Sequence, residues 1–214
     1  MGQPRSTLVC FASKEEARHF LPFATSRPHL RTLITGMGRL NAEKAILGDL
    51  AQARPALVLS CGFAGGLAPE LDFGTVVFNV DSPVGIESAL LAAGGVPGRF
   101  ACVDVVLATA ARKRALRIAT GAAAVEMESG AIRLICREKG ISSGTVRVIL
   151  DTASEDLPLD FNLVLNFRMQ IDGPRLAAAL IRSPSKIKGL IKLQKKAATA
   201  ARKLAEVLEK ALGS

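Results

Sequence analysis

Three carboxylates between residues 126 and 151 are the groups best able to do chemistry in this chain. A short apolar segment ends in Glu126-Met127-Glu128, a helical pattern follows, and the next apolar segment, RVILD, ends in Asp151. An unpaired carboxylate is costly to desolvate, so buried strands seldom end in acids without a reason. Burial also lifts a carboxyl's pKa, which makes it a proton donor near neutrality. A structural reading competes: Glu128 as an early acidic residue of the helix, and Asp151 as the cap of a turn with Thr152. Glycine-rich segments, TGMGRLN and SCGFAGGLAPEL, follow the second and third strand patterns. Ligands of open α/β sheets bind beyond the carboxyl ends of the strands, where these segments fall. Tight turns alone would also call for the glycines.

The elements that must position these groups alternate. Strands are expected at 7–11, 30–35, 56–60, 75–79, 103–108, 123–127 and 144–150, with the two acid-bearing ones adjacent. Helices are expected at 14–20, 41–52, 110–120 and 129–139. LVLSC and RVILD are apolar at nearly every position, as in strands covered on both faces. The order predicts an α/β fold, a three-layer sandwich around a mixed central β-sheet. The pattern breaks down from Leu159 to Gly173. Pro174 then starts a helix to about Ile181, and Ser183-Pro184-Ser185 precedes a long one from Lys186 to Leu212 with a Leu/Ala stripe. We divide the chain into a main domain, 1–182, and a basic C-terminal helix, 183–214.

Composition narrows the function further. At 49% hydrophobic residues the chain has ample material for a core. No run is long and apolar enough to span a bilayer, and the opening MGQPRST carries neither a signal-peptide core nor a convincing acylation site. Disorder is expected only for Met1 to Ser6. Cys10, Cys61, Cys102 and Cys136 read as reduced core residues, which points to the cytoplasm. They and the two histidines lack metal-ligand spacing, so no metal is expected. The net charge is +9, and residues 184–214, with seven Lys and one Arg against Glu206 and Glu209, hold +6 of it. That segment is either a closing helix with solvated lysines or a peripheral contact for anionic membranes. Its stripe beyond Gln194 is mostly alanine and is expected to bury little area. Nucleic acid is a poor partner, because the segment has no aromatic interleaving and no known motif.

VEMESGAI with the later RVILDTASED resembles the VEMExAAI…RxISDxAD signature of the nucleoside phosphorylase and nucleosidase superfamily. SCGFAGGLAPELDFGTVVF is similar to its TGxAGGLxPxLxxGDVV segment, TGMGRLNAEKA to its SGxGKxNAA turn, and FASKEEARHFL to its N-terminal MxEEV element. The resemblance runs from Leu8 to Asp156. Within the superfamily, ATGAAAVEMES and LIRSPSKIKGLIKLQKKAATAARK are most similar to the hopanoid-associated phosphorylases, which are implied to act on an adenosyl-hopane intermediate.

The resemblance implies cleavage of the N-glycosidic bond of a purine nucleoside, with no cofactor, by hydrolysis or with phosphate as co-substrate. Asp151 would protonate or hydrogen-bond N7 of the leaving base. Glu128 would grip the ribose hydroxyls, Met127 would pack under the ribose, and Glu126 completes the substrate contacts. Glu16 would activate water, although KEEAR reads equally well as an exposed helix face. Phosphorylases place Ser or Thr where this chain has Phe63, which favours hydrolysis. The amides of Ala64, Gly65 and Gly66 could still cradle an anion, and Gly38 and Arg39 could contact phosphate. Without Trp or Tyr, stacking on the purine falls to Phe63, Phe100 or Phe161. A homo-oligomer, at least a dimer, is implied. The alternative is a non-catalytic nucleoside-binding protein on the same fold.

Overall fold

A computed structural model describes residues 6–81 and 85–213; Met1 to Arg5, within the segment expected to be disordered, lie outside them. The chain runs β1 (Thr7–Phe11), α1 (Lys14–Ala17), α2 (Leu21–Thr25), β2 (Leu30–Ile34), α3 (Arg39–Leu50), β3 (Leu57–Gly66), β4 (Val76–Val80), α4 (Ile86–Ala92), β5 (Val96–Pro97) and β6 (Phe100–Cys102). It continues with α5 (Ala110–Thr120), β7 (Ala124–Glu126), α6 (Ser129–Glu138), β8 (Ser142–Asp151), a 3-10 turn (Phe161–Leu163), α7 (Gly173–Arg182) and α8 (Lys186–Leu212).

The strands form one mixed sheet in the order β2-β1-β3-β8-β4-β5, with β7 on the far end of β3 and β6 beside β7. The β1–β2, β1–β3 and β3–β8 pairs are parallel; β4 runs against β8, and β7 against β3. Helices cover both faces, which gives the expected three layers. Alternation along each strand divides the core. Val9, Phe11, Leu59, Val146 and Val148 meet Leu204 and Leu208 of α8 on one face, while Leu8, Cys10 and Val58 meet Ile46, Ile132 and Ile135 of α3 and α6 on the other.

Several expectations are corrected. β3 does not stop at Ser60 but runs through Gly66, so the glycine-rich segment is mostly strand. Residues 103–108 form no strand; the pairing segment is β6, just before them. The helix expected at 14–20 stops at Ala17, and a separate short helix that was not expected starts at Leu21-Pro22, where proline fits the first turn. Helix α4 was not foreseen. The acid-bearing strands β7 and β8 are not neighbours, because β3 lies between them. Cys102, unlike the other three cysteines, is exposed.

The alanine-rich half of α8 does not bury little. Ala200, Leu204, Ala205, Leu208 and Ala211 belong to the core beneath it, and Ala201 is fully buried as well. Small side chains let the helix axis approach the sheet closely, so little side chain still fills the layer. The first half of α8 stays largely at the surface, and α7 has no buried residue at all. Among the described residues no helix is long and apolar enough to cross a membrane.

Candidate active site

The site is organised around Arg147, a 1%-exposed arginine in the middle of β8 opposite Gly62 of β3. Its Nη2 donates to Glu126 Oε2 (2.6 Å), Glu128 Oε2 (3.0 Å) and Ser60 Oγ (3.0 Å), and its Nη1 donates to the Cys61 carbonyl (3.3 Å). Glu16 comes from α1, where it closes a capping box: Glu16 N–H donates to Ser13 Oγ and Ser13 N–H donates to Glu16 Oε2 (2.9 Å). Its other oxygen accepts the Phe63 N–H (2.8 Å). Gly62 makes this convergence fit. Its φ is +148°, and a Cβ there would lie 2.5 Å from both Arg147 Nη1 and Glu16 Oε1.

One guanidinium thus serves three buried carboxylates, and they do not share it equally. Burial opposes ionisation of Glu126, but Arg147 and the Ser129 N–H and O–H outweigh it and hold this acid below its usual range. Glu128 is held above that range by burial and by Glu126, against the pull of Arg147 and the Gly38 N–H. Glu16 is pushed up to about 7, mainly by burial, with Arg147 opposing and Glu128 reinforcing. Glu16 is thus the acid poised to exchange protons near neutrality, while Glu126 and Glu128 are displaced in opposite directions from the usual carboxylate range.

Asp151 closes β8. The β3–β8 register slips between Ala64 and Gly65, so that Asp151 stands opposite Gly65, against which its carboxylate packs. Such irregularities re-aim side chains at the end of a ladder. Lys113 of α5, fully buried, forms an ion pair with Asp151 Oδ2. Burial raises the Asp151 pKa above its usual value even though Lys113 works the other way.

The two structural readings of these acids pass to their neighbours. Glu128 occupies the N-cap of α6 but makes no capping bond with its side chain. Glu126 does that work, accepting from Glu128 N–H (3.0 Å), Ser129 N–H (2.8 Å) and Ser129 Oγ–H (2.7 Å). Both its oxygens are therefore engaged by the protein itself, by α6 and by Arg147. Likewise Glu155, not Asp151, accepts the Thr152 N–H.

The other candidates divide. Met127 is buried between β7 and α6. Ala64 and Gly65 are ladder residues of β3, not members of a free loop. The Gly38 N–H donates to Glu128 Oε1 (2.7 Å), and Arg39 pairs with Asp104 at the surface (3.2 Å). Phe63 packs against the core beneath α8, Phe100 opens β6, and Phe161 lies in the 3-10 turn. A groove of about 700 Å³ lined by Asp81, Arg133, Arg137 and Cys102 contains none of Glu16, Glu126, Glu128 and Asp151. Two residues escaped the sequence reading. Arg147 left a signal, a charge inside an apolar strand; Lys113 left none, since ARKRAL looks like any basic helix face.

The acids stand near the strand ends of a covered mixed sheet, and the comparisons show the class of enzyme to which this fold belongs here. Residues 93–182 match the model of the phosphorylase superfamily. The 5'-methylthioadenosine/S-adenosylhomocysteine nucleosidase of Geobacillus kaustophilus is 30% identical over 167 residues, 62% of this chain and 71% of the relative. That of Anoxybacillus flavithermus is 26% identical over 167 residues, 62% and 72% of the two chains. The chain belongs to the phosphorylase superfamily. In fold it is also similar to the nucleosidase of Neisseria meningitidis in complex with methylthio-immucillin-A, with a TM-score of 0.72, 18% identity and coverage of 98% and 99%. The futalosine hydrolase of Helicobacter pylori gives a TM-score of 0.72 at 13% identity, with 98% of each chain covered.

Proposed function

We propose that the protein cleaves the N-glycosidic bond of an adenosyl-type nucleoside with water as the acceptor. The observation that carries this reading is the pairing of two unlike acids along β3. Glu16, pushed up to about 7, is beside Gly62, and Asp151, raised by burial, is beside Gly65. Gly62 and Gly65 are three strand residues apart, roughly 10 Å, room for a ribosyl ring between base and water. Asp151 gives its proton to N7 as the C1′–N9 electron pair leaves with the purine. Glu128 holds the ribose hydroxyls while positive charge develops on the sugar, Met127 packs under the ring, and Glu16 takes the proton of the water that adds to C1′. The nucleosidase relatives, whose names specify methylthioadenosine and S-adenosylhomocysteine, support the adenosyl group.

Engagement of the Gly38 N–H by Glu128 and of Arg39 by Asp104 favours water over phosphate. Adenine release from methylthioadenosine, with and without phosphate, is the test. Turnover is expected in phosphate-free buffer, with Asp151→Asn at least about a hundredfold slower and still able to bind nucleoside. Glu128→Gln should both raise KM and lower kcat. Strict dependence on phosphate would replace hydrolysis by phosphorolysis, and full activity of both variants would overturn the site.

The 5′ substituent we take to be lipid-like, of the adenosyl-hopane kind, with a peripheral contact to anionic membranes. Two features support this. Helix α7 carries an apolar Leu-Ala-Ala-Ala-Leu-Ile run with Ile181 79% exposed, and Ile187 and Ile191 of α8 are also exposed. Arg175, Arg182, Lys188, Lys192 and Lys195 lie at the surface around them. The preceding segment touches the site, since Met169 packs over Gly38, and Phe167 and Ile171 beside it are exposed. An amphiphilic nucleoside could thus pass from bilayer to site along one face.

A further inference from the structure

Lys113 is the least expected feature of the site. A lysine in a basic helix normally extends its ammonium into water. This one is fully buried, and its three N–H donors are all engaged: by Asp151 Oδ2, by the Thr152 carbonyl (2.8 Å) and by the Glu155 carbonyl (2.7 Å). With no donor left, Lys113 has nothing to offer a substrate directly. Its contacts run instead to Asp151 and to the backbone on either side of the turn that follows.

We propose that Lys113 is a positioning residue that fixes which oxygen of Asp151 carries the transferred proton. This inference rests on the proposed reaction, in which Asp151 protonates the leaving base. Oδ2 faces an ammonium and can only accept there, so an acidic hydrogen on Asp151 must sit on Oδ1. The transfer then has one direction: the Oδ1–H bond breaks as the N7–H bond forms, the C1′–N9 pair goes to the purine, and the carboxylate left behind remains paired with Lys113. The other charged groups near Asp151, Glu155 and Lys196, are paired with each other (2.8 Å) and so act on it weakly as a unit. The bonds to Thr152 and Glu155 add a second effect, holding the turn after β8 so that Asp151 cannot swing away.

The test compares leaving groups. Lys113→Met keeps the length and removes the donors; Lys113→Arg keeps the charge. Methylthioadenosine needs a protonated base, whereas 4-nitrophenyl riboside releases a nitrophenolate that needs no proton. Lys113→Met is expected to lower kcat on methylthioadenosine at least tenfold with KM changed less than threefold, to leave nitrophenyl riboside cleavage within threefold, and to add no further loss to Asp151→Asn. Lys113→Arg should recover part of the nucleoside activity. Equal losses on both substrates, or additivity with Asp151→Asn, would make Lys113 merely structural and overturn the proposal; so would undiminished nucleoside turnover. If Lys113→Met does not fold, the same comparison is read from Lys113→Arg, whose losses must again fall on the nucleoside alone. Failure of the wild type to release adenine would overturn the reaction itself, and the role of Lys113 with it.

Discussion

Glu16 illustrates how surroundings set one side chain for the task proposed for it. Its ionised form is the one able to take a proton from water, and burial lifts its pKa to about 7. Hydrolysis should therefore be weak at pH 5, climb through pH 7 and level off above it. Protonated Asp151, also raised, limits the rate on the alkaline side wherever it loses its proton. Glu16→Gln should lose about a hundredfold in rate, and its residual activity should lack the acid limb; an unchanged limb would assign it to another group. At this scale the sequence was informative where a residue broke a pattern. Glu128 and Asp151 stood out at the ends of apolar runs. What the sequence could not convey was the division of labour among adjacent acids, because Glu126 and Glu128 differ only in which neighbour each reaches. Lys113 was invisible for a related reason: burial of a helical lysine is decided by what packs over it, not by its own sequence.

At the scale of elements, the decisive object is the extended end of β3. It was expected to be a loop, since SCGFAGG is rich in glycine, and glycine weakens a strand. The glycines serve close approach instead. Gly62 admits Glu16 and Arg147, and Gly65 admits Asp151, so a strand without side chains at these points has acids packed against it. Gly62→Ala would place a methyl 2.5 Å from two charged groups at a φ that L residues rarely adopt. We expect the variant to lose at least a hundredfold in turnover and about 1–3 kcal/mol in stability by urea unfolding. A fully active Gly62→Ala would show that Glu16 and Arg147 need not converge there. The remaining helices and strands were largely legible from apolar periodicity. The exceptions were short elements, β6 and α4, which carry too few residues to show a period.

For the whole molecule, the basic C-terminal segment resolves into two parts with different surroundings. Lys196 is paired with Glu155, and both Lys196 and Lys203 lie over the ring of Phe73, so these charges are held by the protein. Lys188, Lys192 and Lys195 with Arg175 and Arg182 remain at the surface beside α7. Co-sedimentation with vesicles containing phosphatidylglycerol should recover the protein in the pellet at low salt and release it at 0.5 M salt. Phosphatidylcholine vesicles should not retain it. Replacing Lys188, Lys192 and Lys195 by Glu should abolish binding without loss of methylthioadenosine turnover; equal recovery on both lipids would reject the membrane, and a concentration-dependent dimer lost with Ile181→Glu would assign the face to a second copy of the chain. The second half of α8 has a consequence of another kind. Among the described residues every strand of the sheet precedes it in the chain, yet it supplies Leu204 and Leu208 to the face formed by β1, β3 and β8. During synthesis that face therefore precedes its cover, and Phe11, Leu59, Val146 and Val148 cannot be covered by α8 until it has emerged and docked. An open apolar face of this kind is prone to aggregation, and the helix that looks like an appendage in the sequence is what closes it.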